Sequence, residues 1–241
     1  MAATTPTDPT GLPRSGIRAV SFDAGSTLIH WLTHPRDRFG MLCRLAGIPI
    51  DESMFRAAAR ACARYQQDNP LPGDLGDASR EWWRGLDISG LKAAGVTGDL
   101  VGMADRIIAT AQSLDPRWVL DPDVPAVLDA LRQRGMRLAV VSNWDGDLEE
   151  RLGALGIARY FMFIADSTVI GVRKPDPGIY RTTCAAIGVP PEQCMHVGDS
   201  PDTDGAVARA AGAVPVIYDP LDCWDGVDLR VNRLMDVLAL L

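Results

Sequence analysis

Residues 17–28, which read IRAVSFDAGSTL, contain the pattern that decides the fold. The stretch 17–22 is a short apolar run without helical periodicity, and turn-forming residues follow it at 23–26. This combination predicts a buried strand that ends at a loop. Asp23 is the first residue of that loop, so a carboxylate is expected at the end of the strand.

Farther along the chain, from about residue 119 onward, predicted strands alternate with predicted helices. The strands are predicted at 137–141, 160–164, 194–197 and 214–218, and the helices at 124–134, 148–155, 179–187, 203–211 and 234–241. Repeated strand–helix units give a parallel sheet with helices on both faces. The sequence therefore predicts an α/β fold with a doubly wound parallel sheet.

The segment 31–112 interrupts this alternation and has a different character. Amphipathic patterns predict helices at 38–46, 53–67, 79–83 and 101–112. We therefore predict a core domain made of 16–30 and 113–241, with a smaller helical domain, 31–112, inserted after the first strand. Residues 1–15 are rich in Thr and Pro and are predicted to be a disordered leader.

Composition and charge limit the classes of partner. The net charge of −7 argues against a protein that coats nucleic acid or an anionic membrane. No apolar stretch reaches the ~20 residues that would span a bilayer. Five cysteines without a CxxC pair indicate free thiols in a reducing compartment, so a cytoplasmic location is expected. The sequence does not indicate an oligomeric state.

Polar residues follow several of the predicted strands. Asp23 follows the first strand, Ser142 the strand at 137–141, and Asp199 the strand at 194–197, while Lys174 lies in the loop before the helix at 179–187. Ligands of open parallel sheets bind outside the carboxyl ends of the strands. We therefore expect these four side chains to meet in one crevice.

The motifs around these residues resemble those of the haloacid dehalogenase superfamily. The stretch FDAGSTL at 22–28 is similar to its nucleophile motif, VSN at 141–143 to its second motif, RKPDP at 173–177 to its third, and VGDSPDTD at 197–204 to its fourth. The resemblance implies a Rossmann-like core and a helical cap of the type inserted after the first motif. It also implies a hydrolase, most often a phosphatase acting on a small phosphorylated molecule.

The resemblance assigns roles to individual residues. Asp23 would be the nucleophile that forms an aspartyl-phosphate, and Lys174 and Ser142 would complete the catalytic set. A magnesium ion would be held by Asp23, Asp199 and the main-chain carbonyl of Gly25. Supporting roles are expected for five more residues: substrate contacts from Ala24, Asn143 and Trp144, and a positioning role for Thr27 and Asp204.

This sequence departs from the family pattern at Gly25. Phosphatases of the family normally carry a second Asp there, which protonates the leaving group and later deprotonates the attacking water. General acid–base help of this kind is worth about 10²–10⁴ in rate. Ser26 also replaces the glycine that usually follows.

Four interpretations of Gly25 follow from the sequence. The acid/base can come from elsewhere, with His30, His34 and Asp145 as the nearest candidates. The substrate can be an activated phosphate whose leaving group needs no proton. The protein can be a 2-haloacid dehalogenase-like hydrolase, or a catalytically weak protein that binds a phosphorylated ligand or another protein.

The helical insertion also offers stacking and anion-binding side chains. These are Trp31, Trp82, Trp83, Arg36, Arg38 and Arg84. Aromatic residues at helical spacing more often pack the core of a small domain. Trp144 is the stronger candidate for specificity because its position directly after a strand is nearly fixed.

Overall fold

A computed structural model of the chain describes residues 16–69, 77–115, 117–227 and 229–241. The strands of these residues are β1 (Ala19–Phe22), β2 (Ile29–Trp31), β3 (Trp118–Leu120), β4 (Arg137–Ser142), β5 (Phe163–Asp166), β6 (Cys194–Gly198), β7 (Val214–Tyr218) and β8 (Arg230–Val231). The α-helices are α1 (Pro35–Leu45), α2 (Phe55–Asp68), α3 (Asp77–Ala93), α4 (Leu100–Ser113), α5 (Val124–Gln133), α6 (Leu148–Ala154), α7 (Ser167–Ile170), α8 (Pro177–Ile187) and α9 (Ala206–Ala211). The predicted leader, 1–15, lies outside the described residues.

Six strands form one parallel sheet in the order β5-β4-β1-β6-β7-β8, and helices flank it. This confirms the predicted α/β fold. β1 is buried along its whole length and lies between β4 and β6, where the strand order reverses. Such a switch point opens a crevice at the carboxyl ends of the central strands. Asp23, Ser142 and Asp199 stand at those ends.

The chain separates into two compact units. The first comprises residues up to His30, Val119–Asp219 and Trp224–Leu241, and contains the parallel sheet. One hydrophobic cluster of this unit joins β1, β4 and β5 to α8 and α9 through buried side chains that include Ile179, Tyr180 and Val207. This packing fixes α8 and α9 against the strands whose carboxyl ends form the crevice.

The second unit comprises Trp31–Trp118 and the short segment Pro220–Cys223. Trp82 is buried in its core, where its indole N–H donates to the Asn69 carbonyl at 2.7 Å, and Trp31 and Trp83 pack against the same cluster. Arg84 bonds to Asp105 and Glu81. These contacts favour a packing role for the tryptophans and for Arg84. The segment Pro220–Cys223 was not expected in this unit, because it follows β7 directly.

A buried carboxyl in the helical unit predicts a pH-dependent stability. Burial raises the pKa of Asp87 to about 7, although Arg38 acts in the opposite direction. A raised folded-state pKa gives stability that is complete at acidic pH and is lost as pH rises through about 7. Between pH 4.5 and 8 we expect Asp87 to cost on the order of 2–4 kcal/mol of unfolding free energy.

Urea unfolding, followed by tryptophan fluorescence, checks this expectation. Asp87→Asn should reduce the pH-dependent loss by that amount, because the side chain no longer ionises. Asp68→Asn, at an exposed position on α2, is the control and should behave as the parent protein does. Equal pH profiles for the parent and Asp87→Asn would contradict the assignment.

Two predicted elements differ from the structure near the crevice. The strand predicted at 160–164 forms instead at β5, because residues 158–160 make a 3₁₀ turn. The helix predicted at 203–211 begins as α9 only at Ala206. Pro201–Gly205 form a wider π-helical turn, in which the amides of Asp204 and Gly205 both donate to the Ser200 carbonyl. Such widened turns occur frequently at functional sites.

The end of the chain also differs from the prediction. The predicted terminal helix, 234–241, is a 3₁₀ helix, Leu234–Leu240. All five cysteines are free thiols, as predicted. In the part of the chain that the structure describes, no helix is both long enough and apolar enough to cross a membrane.

Candidate active site

Asp23 lies directly after β1, at the centre of the sheet edge. Its amide donates to the Val197 carbonyl on β6 at 2.8 Å, which continues the strand pairing into the loop. The residue is 6% exposed, so its carboxylate is held with little freedom at the bottom of the crevice. The loop then turns tightly, because the Ala24 carbonyl accepts hydrogen bonds from the amides of Leu28 and Ile29.

Lys174 connects Asp23 to a second carboxylate. Its Nζ donates to Asp23 Oδ1 at 2.6 Å and to Asp204 Oδ1 at 2.5 Å, and the residue is 6% exposed. The Asn143 side chain fixes the lysine backbone: its Oδ1 accepts from the Lys174 amide at 2.8 Å and its Nδ2 donates to the Lys174 carbonyl at 3.0 Å. Asn143 therefore positions the lysine, a role that its motif alone did not indicate.

Asp204 is fully engaged on both of its oxygens. Oδ1 accepts from Lys174 and lies 3.3 Å from His196 Nε2, while Oδ2 accepts from the Ser200 amide at 3.0 Å. Burial opposes ionisation, but Lys174 and His196 outweigh it and hold the pKa of Asp204 below its usual range. The carboxylate thus stays ionised and anchors the lysine.

Gly198 shows why the fourth motif needs a glycine. A Cβ atom at this position would lie 2.2 Å from Asp204 Cγ, which is far inside contact distance. Gly198→Ala is therefore expected to displace Asp204 and to destabilise the protein by about 1–3 kcal/mol. Asp204 and Lys174 lie beside carboxylates that could hold a metal ion, so we also expect magnesium affinity to fall about 10–100-fold.

Calorimetric magnesium titration and urea unfolding together measure these two effects. Gly153→Ala is the matched control, since Gly153 lies on the exposed face of α6 and a Cβ there would meet nothing within 4 Å. The control should gain about 0.5–1 kcal/mol from helix propensity. Unchanged magnesium affinity in folded Gly198→Ala would show that Asp204 has no influence on the cation site.

The site gathers three carboxylates around one ammonium. Oxygens of Asp23, Asp199 and Asp204 all lie within 4.8 Å of one another. Burial, reinforced by the neighbouring carboxylates, raises the pKa of both Asp23 and Asp199, although Lys174 acts in the opposite direction. When all are ionised, the four groups carry two net negative charges. This oxygen-rich set, which has more acidic groups than basic ones, fits a hard divalent cation such as Mg²⁺.

Three other predicted site residues, Ser142, Ala24 and Thr27, are buried. Ser142 ends β4 and is 2% exposed, and its side-chain hydrogen bond to Asp23 lowers the carboxyl pKa against the larger effect of burial. Ala24 is fully buried. Thr27 is also fully buried, and its Oγ1 has no hydrogen-bond partner among the described residues. The Thr27 amide donates to the Ala24 carbonyl at 3.3 Å, so Thr27 supports the loop after β1 through its main chain and its buried volume.

Gly25 lies against the indole of Trp144. A Cβ atom built at residue 25 would lie 3.3 Å from Trp144 Cζ3, tighter than an ordinary contact. The next residue, Ser26, has φ 61°, which is the left-handed region that glycine adopts most readily. This conformation explains why a glycine usually stands at that position of the motif.

The side chains considered as replacement acid/base groups have different surroundings. His30 is 2% exposed, and its Nε2 lies 3.0 Å from Asp121 Oδ2, which also accepts from the Tyr218 hydroxyl at 2.7 Å. This buried network indicates a structural role for His30. His34 accepts a hydrogen bond from the Arg36 amide at the start of α1. Asp145 is exposed in the loop after β4.

Three further residues shape the crevice and were missed from the sequence. Asp166 accepts from the amides of Gly146 and Thr168, which fixes the loop after β4. Its position at the end of a strand beside Ser142 is a signal that could have found it. The Trp224 indole donates to the Asp199 carbonyl at 3.0 Å, and His196 lies behind Asp204. For these two, no local pattern in the sequence indicates the contact.

Known proteins resemble this chain over most of its length. The family model of the haloacid dehalogenase-like hydrolases matches residues 17–212. Haloacid dehalogenase-like hydrolase domain-containing protein 3 of Mus musculus is 31% identical over 216 residues, which cover 87% of this chain and 86% of the mouse protein. A phosphoserine phosphatase of Thermus thermophilus is 31% identical over 243 residues, covering 92% and 98%. The crystal structure of a HAD phosphatase from Thermococcus onnurineus has a TM-score of 0.57 at 20% identity, covering 93% and 97%.

These relatives and the fold define a hydrolase of the α/β class, with phosphatases among its homologues. More particularly, the chain belongs to the haloacid dehalogenase-like hydrolase family. The resemblance that the four motifs carried in the sequence is thereby confirmed.

Proposed function

We propose that the protein is a magnesium-dependent phosphatase that acts on a small phosphorylated metabolite. The observation that carries the proposal is the buried contact of Lys174 with both Asp23 and Asp204, beside Asp199. Buried charges are costly unless they are paired or bind a cation. A cation and an anionic substrate that bind there would best explain why three carboxylates gather around a single ammonium.

Asp23 acts as the nucleophile. One of its carboxylate oxygens attacks phosphorus, the bond from phosphorus to the leaving-group oxygen breaks, and that oxygen departs with the electron pair. Water then attacks phosphorus, the bond from phosphorus to the Asp23 oxygen breaks, and the proton that the water loses passes to solvent, so inorganic phosphate leaves and Asp23 is regenerated. Division into two displacements lowers the barrier of each step.

The charges around Asp23 make the approach of a phosphate dianion possible. Lys174, buried between two carboxylates, remains an ammonium because Asp23 and Asp204 raise its pKa despite its burial. Asp23, Asp199 and the Gly25 carbonyl would hold Mg²⁺, which when bound neutralises negative charge and orients phosphate oxygens. Ser142 and the main-chain amides of Ala24 and Asn143 would donate hydrogen bonds to those oxygens.

Release of inorganic phosphate from a substrate panel tests the proposal. The panel includes acetyl phosphate, p-nitrophenyl phosphate, phosphoserine, sugar phosphates and nucleotides, each with magnesium and with EDTA. We expect turnover that requires magnesium and that returns when the metal is added back. Folded protein that releases no phosphate from any of them would contradict the proposal, and halide release from a 2-haloacid would then identify a dehalogenase.

A further inference from the structure

We infer that Gly25 and the Trp144 indole packed against it leave no room for an acid/base side chain at residue 25, which restricts the site to phosphates whose leaving group departs without a proton. The substrate class is then acyl phosphates and other phosphates of stable anions. This inference rests on the proposed phosphatase function and specifies its substrates. It concerns residues of the sheet-containing unit alone.

The indole and Gly25 fit against each other at close range. Trp144 Cζ3 is the one atom that a Cβ at residue 25 would meet within 4 Å, at 3.3 Å. An aspartate here would bring its Cβ to 3.3 Å from the ring edge, so the indole would have to shift by a few tenths of an ångström, and the carboxylate would lie near that apolar surface. Burial of a carboxylate against such a surface is unfavourable. Glycine at residue 25 and tryptophan at residue 144 thus complement each other.

Trp144 is held in place on both its backbone and its ring. Its amide donates to Ser167 Oγ at 3.1 Å, and its carbonyl accepts from Thr168 Oγ1 at 2.7 Å. The indole Nε1 donates to Asp147 Oδ1 at 2.7 Å, and the Arg151 guanidinium lies 6.0 Å from the ring centroid. These contacts restrain the ring in one position beside the loop that follows Asp23.

The same contacts prevent Trp144 from acting as the acid. Its N–H is an indole donor that does not ionise near neutral pH, and it already bonds to Asp147. The ring therefore contributes an apolar edge beside residue 25, the position at which the family's phosphatases carry a proton donor. In the first displacement, the leaving-group oxygen must take the electron pair as an anion.

This constraint affects different substrates unequally. An acyl phosphate releases a carboxylate and p-nitrophenyl phosphate releases a stabilised phenolate, so neither gains much from a proton. A sugar or alkyl phosphate would release an alkoxide and needs one. Because acid catalysis is worth about 10²–10⁴, the wild-type protein should prefer the activated substrates by a comparable factor in kcat/KM.

The experiment measures kcat/KM over a series of substituted phenyl phosphates, with acetyl phosphate and glycerol phosphate at the extremes. In the wild type, the logarithm of kcat/KM should fall steeply as the leaving group becomes more basic. Trp144→Ala should keep the steep dependence, since it opens space but supplies no acid. Gly25→Asp combined with Trp144→Ala should raise kcat/KM for glycerol phosphate at least about 10²-fold and flatten the dependence.

The single variant Gly25→Asp separates the effect of adding an acid from the effect of removing the indole. With the ring still present, we expect less gain than in the double variant and a lower melting temperature, because the new side chain meets the indole. If Gly25→Asp does not fold, the comparison of the double variant with Trp144→Ala still tests the inference, because the two differ only in the added acid. A gain from Gly25→Asp equal to that of the double variant would show that Trp144 does not block the position.

Other outcomes would overturn the inference. A wild-type leaving-group dependence that is flat within about tenfold would mean that another residue donates the proton. Asp145→Asn and His34→Asn would then identify it, if one of them makes the dependence steep. A folded double variant without any gain on glycerol phosphate would also contradict it. Absence of turnover on every phosphate is a different result, because it contradicts the proposed function itself.

Discussion

Replacement of Asp23 by asparagine is expected to lower magnesium-dependent phosphate release by at least about 10³-fold, because an amide oxygen cannot form the phosphorylated intermediate. The variant should remain folded. It removes one of three mutually repelling carboxylates, and the amide oxygen can still accept a hydrogen bond from Lys174. The measurement is kcat on the best substrate of the panel, with a melting curve for each protein.

Glu192→Gln is the matched control for this variant. Glu192 is exposed on the 3₁₀ helix that precedes β6, so it lies at the opposite end of that strand from Asp199. The substitution removes one carboxylate with the same change of charge and should leave turnover within about twofold of the parent. Residual activity of Asp23→Asn close to that of the control would mean that another residue is the nucleophile.

Lys174→Met should be the most destabilising substitution in the site. It removes the cation that pairs with Asp23 and Asp204 and leaves two buried carboxylates facing each other. Loss of one partner from a buried ion pair costs about 3–5 kcal/mol. Turnover should fall at least about 10²-fold as well, because phosphate charge is no longer neutralised.

The pH dependence of this loss separates charge from packing. Lys174 holds the pKa of Asp204 below its usual range against the opposing effect of burial. A depressed pKa gives stability above the usual carboxyl value that is lost as pH falls through the folded-state value. The difference between parent and Lys174→Met should therefore be largest near pH 7 and shrink below about pH 4.

Lys92→Met provides the control for Lys174→Met. Lys92 is exposed on α3, so its replacement removes the same charge and should change the unfolding free energy by less than about 0.5 kcal/mol. A loss for Lys174→Met that is the same at about pH 2.5 and at pH 7 would indicate a packing defect and contradict the electrostatic explanation.

Periodicity was enough to predict the sheet and the residues at its edge. The apolar run of β1 and the alternation after residue 119 place Asp23, Ser142 and Asp199 at strand ends, and parallel strands bring such ends together. The helical character of 31–112 was equally readable, although α3 extends ten residues beyond the predicted end of its helix, from Trp83 to Ala93. The amphipathic pattern weakens there because α3 packs against both α2 and α4.

Contacts between distant residues could not be read in the same way. The approach of Trp144 to Gly25 depends on the course of two loops, and no local pattern encodes the distance between them. Two other features also depend on the course of loops. The Trp224 indole donates to the Asp199 carbonyl, and Pro220–Cys223 group with the helical unit. Each joins segments whose separation is set by tertiary packing, not by propensity.

The burial of Lys174 makes the site suitable for chemical footprinting. The chain contains only two lysines, Lys92 and Lys174. Lys92 is exposed, whereas Lys174 is buried. An amine-reactive reagent would modify Lys92 in the native state, whereas Lys174 would react only in molecules whose crevice has opened. The ratio of the two modified peptides in a mass spectrum therefore measures local opening of the site around Lys174, without an introduced probe.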